Sequence, residues 1–280
     1  MGISPGLVPP TPNDDKARAM PPWLISVRDL REARLAIRSG VPILDWKEPA
    51  DGALAPVSKE TWTAAADWLQ RRSHVGGPRP ALSAALGEPG LATRIAASVP
   101  RSFRFAKAGP SGLDRPDQLR EFWGTLTASL PESVELVAVA YADHEAAGSL
   151  DPETILALAA ECGMHRILID TFQKSSGSST ALLGRQRLLS IGAQIRRHAQ
   201  WWALAGSLGL ADVQTLQSWF RQSRDTFPDC LAVRGAVCDG DRRGRLCPDR
   251  LRRWAAQFDG PAAAKMRKGG LQTQSKPVIF

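Results

Sequence analysis

The sequence predicts an α/β protein built as a single (β/α)8 barrel, and three observations favour that fold. Short apolar runs alternate eight times with segments of helical spacing between residues 23 and 258. The alternation occupies about 240 residues, close to the ~250 typical of such a barrel. Polar residues stand where most of the runs end, as expected when the carboxyl ends of parallel strands open on one face. A doubly wound open sheet is the alternative, but no GxGxxG follows the first run.

Each predicted strand is a short run of β-branched, aromatic or other apolar residues, bounded by turn-forming residues. The predicted strands cover residues 24–27, 43–47, 80–86, 103–107, 136–141, 166–171, 201–205 and 230–234. The predicted helices cover residues 29–39, 58–72, 90–98, 114–129, 151–162, 180–199, 209–223 and 248–257. Local signals mark some helix starts, because Ser58, Asp114 and the Asp151-Pro152 pair are residues that cap or begin helices.

The composition of the two ends of the chain predicts where the folded domain begins and ends. Residues 1–22 combine Gly, Pro and mixed charges without periodicity, so we expect a disordered lead-in before a barrel at 23–258. The formal charge is +8, and residues 241–280 supply +7 of it through ten Lys or Arg and three Asp. The excess therefore belongs to the last helix and to a basic, flexible tail at 259–280.

The chain shows no signal for a membrane, a secretory route or a metal. No apolar stretch approaches the ~18 residues of a membrane span and no secretory signal is visible, which predicts a soluble, cytoplasmic protein. The four cysteines form no CxxC pair, so we expect buried, reduced thiols. The four histidines are too widely spread for a helical metal pair, and we expect neither metal nor cofactor.

The stretch from Ile43 to Lys47 is the most informative part of the chain, because it ends with a carboxylate and an amine two residues apart. Residues at i and i+2 of a strand share a face, so Asp45 and Lys47 should project into the same space. Further polar residues follow other predicted strands: Lys107, Tyr141, Asp143, Asp170 and Lys174. We expect these groups to converge in a catalytic cluster at the mouth of the barrel.

Three lysines facing one cavity predict Schiff-base chemistry. Free lysine has a pKa of ~10.4, and burial and neighbouring cations disfavour its ammonium form, so at least one amine would be neutral near pH 7. A neutral amine attacks a carbonyl to form an imine. Loss of an α-proton then gives an enamine that attacks a second carbonyl. The sequence leaves open which lysine holds the imine, and the neighbouring carboxylates and Tyr141 are candidates for proton transfer.

Small residues and one arginine follow the last two predicted strands. Gly206 and Ser207 follow the seventh strand, and Arg234 and Gly235 follow the eighth. Barrels often bind phosphate at this position through backbone N–H groups, and arginine pairs with phosphate bidentately. The glycines alone are typical of tight turns, but in combination with Arg234 they favour a phosphorylated substrate.

Taken in order, these motifs resemble one family, the (5-formylfuran-3-yl)methyl phosphate synthases of methanofuran biosynthesis. The resemblance runs from about Leu24 to Arg245. The motifs that carry it are Asp45-x-Lys47-x-Pro49-x-x-Gly52-x-Leu54, Lys107-x-Gly109, Tyr141-Ala142-Asp143, Asp170-Thr171 with Lys174, Leu204-Ala205-Gly206-Ser207 and Val233-Arg234-Gly235-Ala236-Val237-Cys238. Glu88 departs from the family pattern, in which a shorter Asp is expected.

The resemblance implies a (β/α)8 barrel that joins two molecules of glyceraldehyde 3-phosphate into the furan aldehyde phosphate, with loss of phosphate and water. It implies that Lys47 is the Schiff-base lysine and that Lys107 transfers protons. The residues that it assigns to support and to substrate or phosphate binding are Asp45, Asp170, Lys174, Tyr141, Asp143, Gly206, Ser207, Arg234 and Gly235. It also implies no cofactor. The departures from the family pattern, in contrast, favour a bacterial enzyme serving a methanofuran-like one-carbon carrier.

Two other hypotheses stay open. A Schiff-base aldolase acting on other sugar phosphates would use the same residues. A basic nucleic-acid-associated protein would use the Arg-rich segment from Arg242 to Arg253 and the tail through Lys276, although no recognisable binding module is present. The expected partner is a phosphorylated aldehyde, without nucleic acid or membrane, and a homo-oligomer is left open.

Overall fold

The chain forms a closed barrel of parallel strands, which confirms the predicted fold class. The structure is a computed structural model and describes residues 20–71 and 79–258. The strands are Trp23–Val27 (β1), Ile43–Trp46 (β2), Ala81–Ala85 (β3), Phe105–Lys107 (β4), Glu135–Tyr141 (β5), Arg166–Asp170 (β6), Trp201–Leu204 (β7) and Cys230–Val233 (β8). Strands adjacent in the chain pair in parallel, and β8 pairs with β1 to close the ring. Apart from residues 20–22, the predicted lead-in at 1–22 and tail at 259–280 lie outside the described residues.

Helices connect the strands and cover the outside of the barrel. They are Leu30–Arg38 (α1), Lys59–Arg71 (α2), Pro89–Ile95 (α3), Pro116–Ser129 (α4), His144–Ala147 (α5), Pro152–Glu161 (α6), Ser179–Arg197 (α7), Leu210–Trp219 (α8) and Pro248–Ala255 (α9). The helix starts follow the capping signals. At α6, for example, the Asp151 side chain accepts a hydrogen bond from Thr154 N and Pro152 opens the first turn.

Two helices differ from the sequence prediction. The short helix α5 is not predicted, because its single turn is too brief for a periodic pattern; Gly148 ends it in the left-handed conformation. Helix α8 ends at Trp219 rather than continuing to residue 223. The chain turns there, and the rings of Phe220 and Phe227 pack edge to face with centroids 5.4 Å apart.

Alternate strand residues face the barrel interior, and this alternation places the polar groups. In β2, Leu44 and Trp46 pack in the hydrophobic core between the barrel and the helices. Ile43 packs instead in a second hydrophobic cluster, inside the barrel. Asp45 and Lys47 share the parity of Ile43 and therefore point inward. The interior positions of β7 and β8 carry alanines, at Ala203 and Ala232 among others, which leaves space at that side of the barrel.

The four cysteines are free thiols, and the burial expected for them is found for two, whereas Cys247 is half-buried. Cys230 and Cys238 are buried as predicted. Cys162 is exposed, because it follows the last turn of α6 on the outer surface. Within residues 20–71 and 79–258, no helix combines the length and the apolarity that a membrane crossing requires.

Candidate active site

A cavity of about 790 Å³ opens at the carboxyl ends of the strands. That volume suits a small-molecule ligand. The predicted site residues that line it are Lys47, Lys107, Asp170, Lys174, Gly206, Ser207, Arg234 and Gly235. The remaining three, Asp45, Tyr141 and Asp143, are not part of this lining, and each binds other protein groups instead.

Asp45 is the centre of a buried polar network at the top of β1 to β4. Ser26, Asp45 and Ser83 are register partners on three adjacent strands. The Ser26 hydroxyl donates to Asp45 Oδ2 at 3.1 Å and the Ser83 hydroxyl to Oδ1 at 3.0 Å. Lys107 Nζ lies 2.9 Å from Asp45 Oδ1. A carboxylate with no exposed surface is tolerated here because it is both paired and hydrogen-bonded.

Ser26 and Ser83 belong to this network but were not predicted from the sequence. Each serine is the only polar residue of its strand, and each is in register with Asp45. The first feature is visible in the sequence, but the contact with Asp45 follows only from the strand register, which the sequence pattern does not supply.

Lys47 differs from the other two lysines of the cavity, because none of the ion pairs among the described residues includes it. Its Nζ donates to the carbonyl of Ala53 at 3.3 Å, and the residue is 7% exposed. Burial lowers the pKa of this amine to about 7. Asp170 and Asp45 act against this effect, whereas the ammonium groups of Lys174 and Lys107 add to it. About half of the Lys47 side chains would therefore be neutral near pH 7.

Lys174 and Asp170 form the second ion pair of the cavity. Lys174 Nζ lies 2.7 Å from Asp170 Oδ1 and also donates to the carbonyl and the hydroxyl of Thr171. Burial alone would raise the pKa of Asp170, but the charges of Lys174 and Lys47, with hydrogen bonds from Lys174 and Thr171 N, hold it below its usual value. Asp170 is thus a carboxylate at neutral pH.

Tyr141 pairs with Glu88 rather than facing the cavity. Its hydroxyl donates to Glu88 Oε1 at 2.6 Å, and Ser111 N donates to Oε2 at 3.0 Å. Burial raises the pKa of both Glu88 and Tyr141. A Cβ on Gly109 would stand 2.1 Å from the Tyr141 hydroxyl, so glycine is required for this pair to form. Glu88, which in the sequence is only a departure from the family pattern, is therefore the hydrogen-bond acceptor for Tyr141.

Asp143 positions the loop that follows β6. Its two carboxylate oxygens accept hydrogen bonds from Phe172 N at 2.7 Å and from Gln173 N at 2.8 Å. Since Phe172 and Lys174 line the cavity, Asp143 shapes the site through this loop.

The loops after β7 and β8 line the cavity with Gly206, Ser207 and Gly235. Gly206 and Ser207 both have positive φ angles, +92° and +53°. A Cβ on Gly206 would lie 2.0 Å from Ser179 Oγ, so only glycine fits there. Among the described residues, no acceptor is found for the backbone N–H groups of Gly206, Ser207 and Gly235. Such groups bind anions readily.

The guanidinium of Arg234 binds other protein groups, although the sequence predicted that it binds the phosphate of a substrate. The residue is 6% exposed, and its guanidinium forms an ion pair with the buried Glu32. The remaining N–H groups donate to the carbonyls of Ser26, Arg242 and Gly244. Because all five donors of the guanidinium have partners, the expected contact with a phosphate has no donor in this arrangement.

Part of the basic segment belongs to the cavity. Arg242 and Arg243 line it, and Arg242 donates to the carbonyl of Gly52 at 2.7 Å, across the mouth of the barrel. The sequence left open whether part of this charge run is a solvated helix face or a border of the active site, and the structure places these two arginines at the cavity. Within the described part of the chain, no group of His, Cys, Asp and Glu could hold a metal ion.

The fold and the cavity define a (β/α)8-barrel protein whose site contains a partly neutral buried lysine between two lysine–aspartate pairs. The family model of 4-HFC-P synthase matches residues 23–255. The chain belongs to the 4-HFC-P synthase family.

Curated relatives agree with this assignment. The (5-formylfuran-3-yl)methyl phosphate synthase of Methanosarcina acetivorans is 28% identical over 84% of this chain and 97% of its own length. A Methylorubrum extorquens protein, whose name gives the same activity provisionally, is 32% identical over 81% of this chain and 87% of its own. Among solved structures, the phosphoribosyl anthranilate isomerase of Thermus thermophilus aligns over 84% of this chain and 97% of its own with a TM-score of 0.51. At 14% identity that likeness concerns the fold alone.

Proposed function

We propose that this protein is a (5-formylfuran-3-yl)methyl phosphate synthase that condenses two molecules of glyceraldehyde 3-phosphate through a Schiff base on Lys47. The product would serve biosynthesis of methanofuran or a methanofuran-like one-carbon carrier, in the cytoplasm. Two triose phosphates contain the atoms of one furan aldehyde phosphate, one inorganic phosphate and two waters. The overall reaction needs no external oxidant or reductant.

The state of Lys47 is the observation that carries this proposal. A nucleophilic amine must be neutral, and burial lowers the pKa of Lys47 to about 7 while leaving it at the cavity wall. Attack on the substrate carbonyl would form a C=N bond and release one water. The protonated imine would then draw electrons from the adjacent carbon, and loss of a proton from that carbon would give an enamine that forms a C–C bond with the second carbonyl.

The two ion pairs supply the groups for proton transfer. Lys107 and Asp45, 2.9 Å apart, form a donor and an acceptor on one side of Lys47. Lys174 and Asp170, 2.7 Å apart, form the other pair. Both pairs are more than four-fifths buried, so a proton passed between substrate and protein is sheltered from solvent. We assign the proton transfer on the carbon adjacent to the imine to Lys107.

Borohydride trapping tests the mechanism. The protein is incubated with glyceraldehyde 3-phosphate and reduced with borohydride, and the adduct is mapped by mass spectrometry. The expected result is a stable adduct on Lys47 that is absent from Lys47→Arg. Lys59→Met is the matched control, because Lys59 is an exposed lysine at the start of α2. Trapping that is lost in Lys59→Met and retained in Lys47→Arg would reject the role of Lys47.

The alternative function, a Schiff-base aldolase, would use the same lysine. The two functions are distinguished by their products. A synthase gives an aromatic furan that absorbs in the near ultraviolet, together with inorganic phosphate in a one-to-one ratio. An aldolase gives neither. Formation of a sugar bisphosphate without phosphate release would favour the aldolase and reject the synthase.

A further inference from the structure

All five donors of the Arg234 guanidinium are bound within the protein, so the phosphate of a substrate would have to pair with another cation that lines the cavity. This step rests on the proposed function, because it takes the substrate to be a phosphate monoester. The Glu32 carboxylate binds both terminal nitrogens of Arg234, so the charge of this arginine is also neutralised. A buried, fully paired guanidinium of this kind is part of the scaffold.

Arg242 has the opposite character. It is half-buried at the cavity wall, and its Nη2 donates to the carbonyl of Gly52. Within the described residues, none of its other side-chain donors has an acceptor and none of the ion pairs includes it. Burial lowers the pKa of Arg242, and the nearby charges of Arg234 and Arg243 act in the same direction. Gly52 is next to Ala53, whose carbonyl accepts from Lys47 Nζ, so Arg242 reaches the loop that carries the reactive amine.

Arg234 and Arg28 hold the loop that carries Arg242. Arg234 Nε donates to the carbonyl of Arg242 at 3.0 Å, and Arg28 donates to the carbonyls of Arg243 and Gly244 at 2.9 and 3.1 Å. Both arginines also bind Glu32. Three consecutive carbonyls of this loop are therefore fixed from the barrel side, which orients Arg242 before a ligand arrives.

We propose that Arg242 is the arginine that binds the phosphate of the substrate, together with the N–H groups after β7 and β8, and that Arg234 is a positioning residue which acts through Arg242. A phosphate monoester fits this arrangement because a guanidinium with unused donors can bind two of its oxygens. Ser207 and Gly235 line the same cavity, and within the described residues no acceptor is found for their backbone N–H groups.

Inorganic phosphate is the probe, and its binding to the full chain is measured by titration calorimetry. Arg242→Gln should lower the affinity for phosphate ~10- to 100-fold, the usual effect of losing hydrogen bonds to a charged group. Arg245→Gln is the matched control, since Arg245 is exposed in the same loop and does not line the cavity, and it should bind phosphate as the unmodified protein does. Unchanged affinity in Arg242→Gln, or an equal loss in Arg245→Gln, would overturn the assignment.

A double-substitution cycle tests the positioning role. Arg234→Lys should weaken phosphate binding on its own but cause no further loss when combined with Arg242→Gln. A further loss in the combined variant would show direct contact by Arg234 and overturn its positioning role. If Arg234→Lys does not fold, Arg28→Gln replaces it, because the Arg28 side chain is 23% exposed and holds the same loop. Borohydride trapping at Lys47 is measured in parallel with phosphate binding. If no Lys47 adduct forms but phosphate binding still depends on Arg242, the synthase function is rejected and the phosphate site at Arg242 stands.

Discussion

Lys107 Nζ lies 2.9 Å from Asp45 Oδ1, and this ion pair separates the roles of the lysines in the cavity. Lys107 and Lys174 each have a carboxylate within 3 Å, whereas Lys47 has only a backbone carbonyl. Burial disfavours the ammonium form of Lys47 and lowers the pKa of this amine. In the proposed mechanism, this difference in pairing favours Lys47 as the nucleophile and its neighbours as the groups that transfer protons.

The pH dependence of imine formation should follow Lys47. Because the pKa of this amine is about 7, the rate of borohydride trapping should rise about tenfold from pH 5 to pH 6 and level off above pH 8. Quantitative mass spectrometry of the Lys47 adduct across pH 5–9 measures this. A rate that keeps rising to pH 9 would contradict the lowered pKa.

Two charge-removing variants should shift that pH profile in opposite directions. Asp170 favours the ammonium form of Lys47, so Asp170→Asn should move the midpoint to lower pH. Lys174 disfavours the ammonium form, so Lys174→Met should move it to higher pH. The trapping rate at Lys47 is the measurement in both. Shifts in the same direction would show that the charges act through a structural change instead.

Lys47→Met should stabilise the fold, and the gain should shrink as pH rises. The folded pKa of Lys47, about 7, lies below the unfolded value of ~10.4, so the unfolded chain binds an extra proton between these values. The unmodified protein therefore gains stability with rising pH, whereas the variant lacks this contribution. Between pH 7 and pH 9 the difference in unfolding free energy should change by roughly 2 kcal/mol. Urea denaturation at both pH values measures it, and a pH-independent difference would contradict the prediction.

Asp45→Asn should destabilise the fold more than Ser83→Ala. The first change leaves the Lys107 ammonium buried without a counterion, at a cost of ~3–5 kcal/mol. The second removes one hydrogen bond to a carboxylate that keeps other donors, at a cost of ~1.5–3 kcal/mol. Chemical denaturation compares them. Adding Lys107→Met to Asp45→Asn should recover part of the loss, and no recovery would argue against an uncompensated charge as the cause.

Gly109→Ala should disrupt the pair of Tyr141 and Glu88. The added methyl group would lie 2.1 Å from the Tyr141 hydroxyl and 2.3 Å from Glu88 Oε2. The expected loss of unfolding free energy is ~1–3 kcal/mol, as for other overpacked sites. Combined with Tyr141→Phe, which removes the hydroxyl, the loss should be smaller than the sum of the single losses. Gly90→Ala is the control, because nothing lies within 4 Å of a Cβ there.

The pattern of neighbouring residues was sufficient to predict the barrel and the strand ends at which its polar residues lie. Strands and helices are determined largely by the period of apolar residues and by caps, which are properties of neighbouring residues. For the same reason, the i, i+2 spacing was enough to place Asp45 and Lys47 on one interior face. The end of α8 was misjudged because it depends on Phe220 meeting Phe227, a contact that no local period encodes.

The sequence by itself determined the closed parallel barrel and the convergence of three lysines at one end of it. Only the tertiary structure decided which of the three lysines stays outside the ion pairs of the described residues, and which arginine is held by the buried Glu32. Lys107 reaches Asp45 from another strand, and Arg242 reaches the Gly52 carbonyl across 190 residues of chain. Those distances depend on strand register and loop path, because side chains only a few ångströms long must meet from distant parts of the sequence.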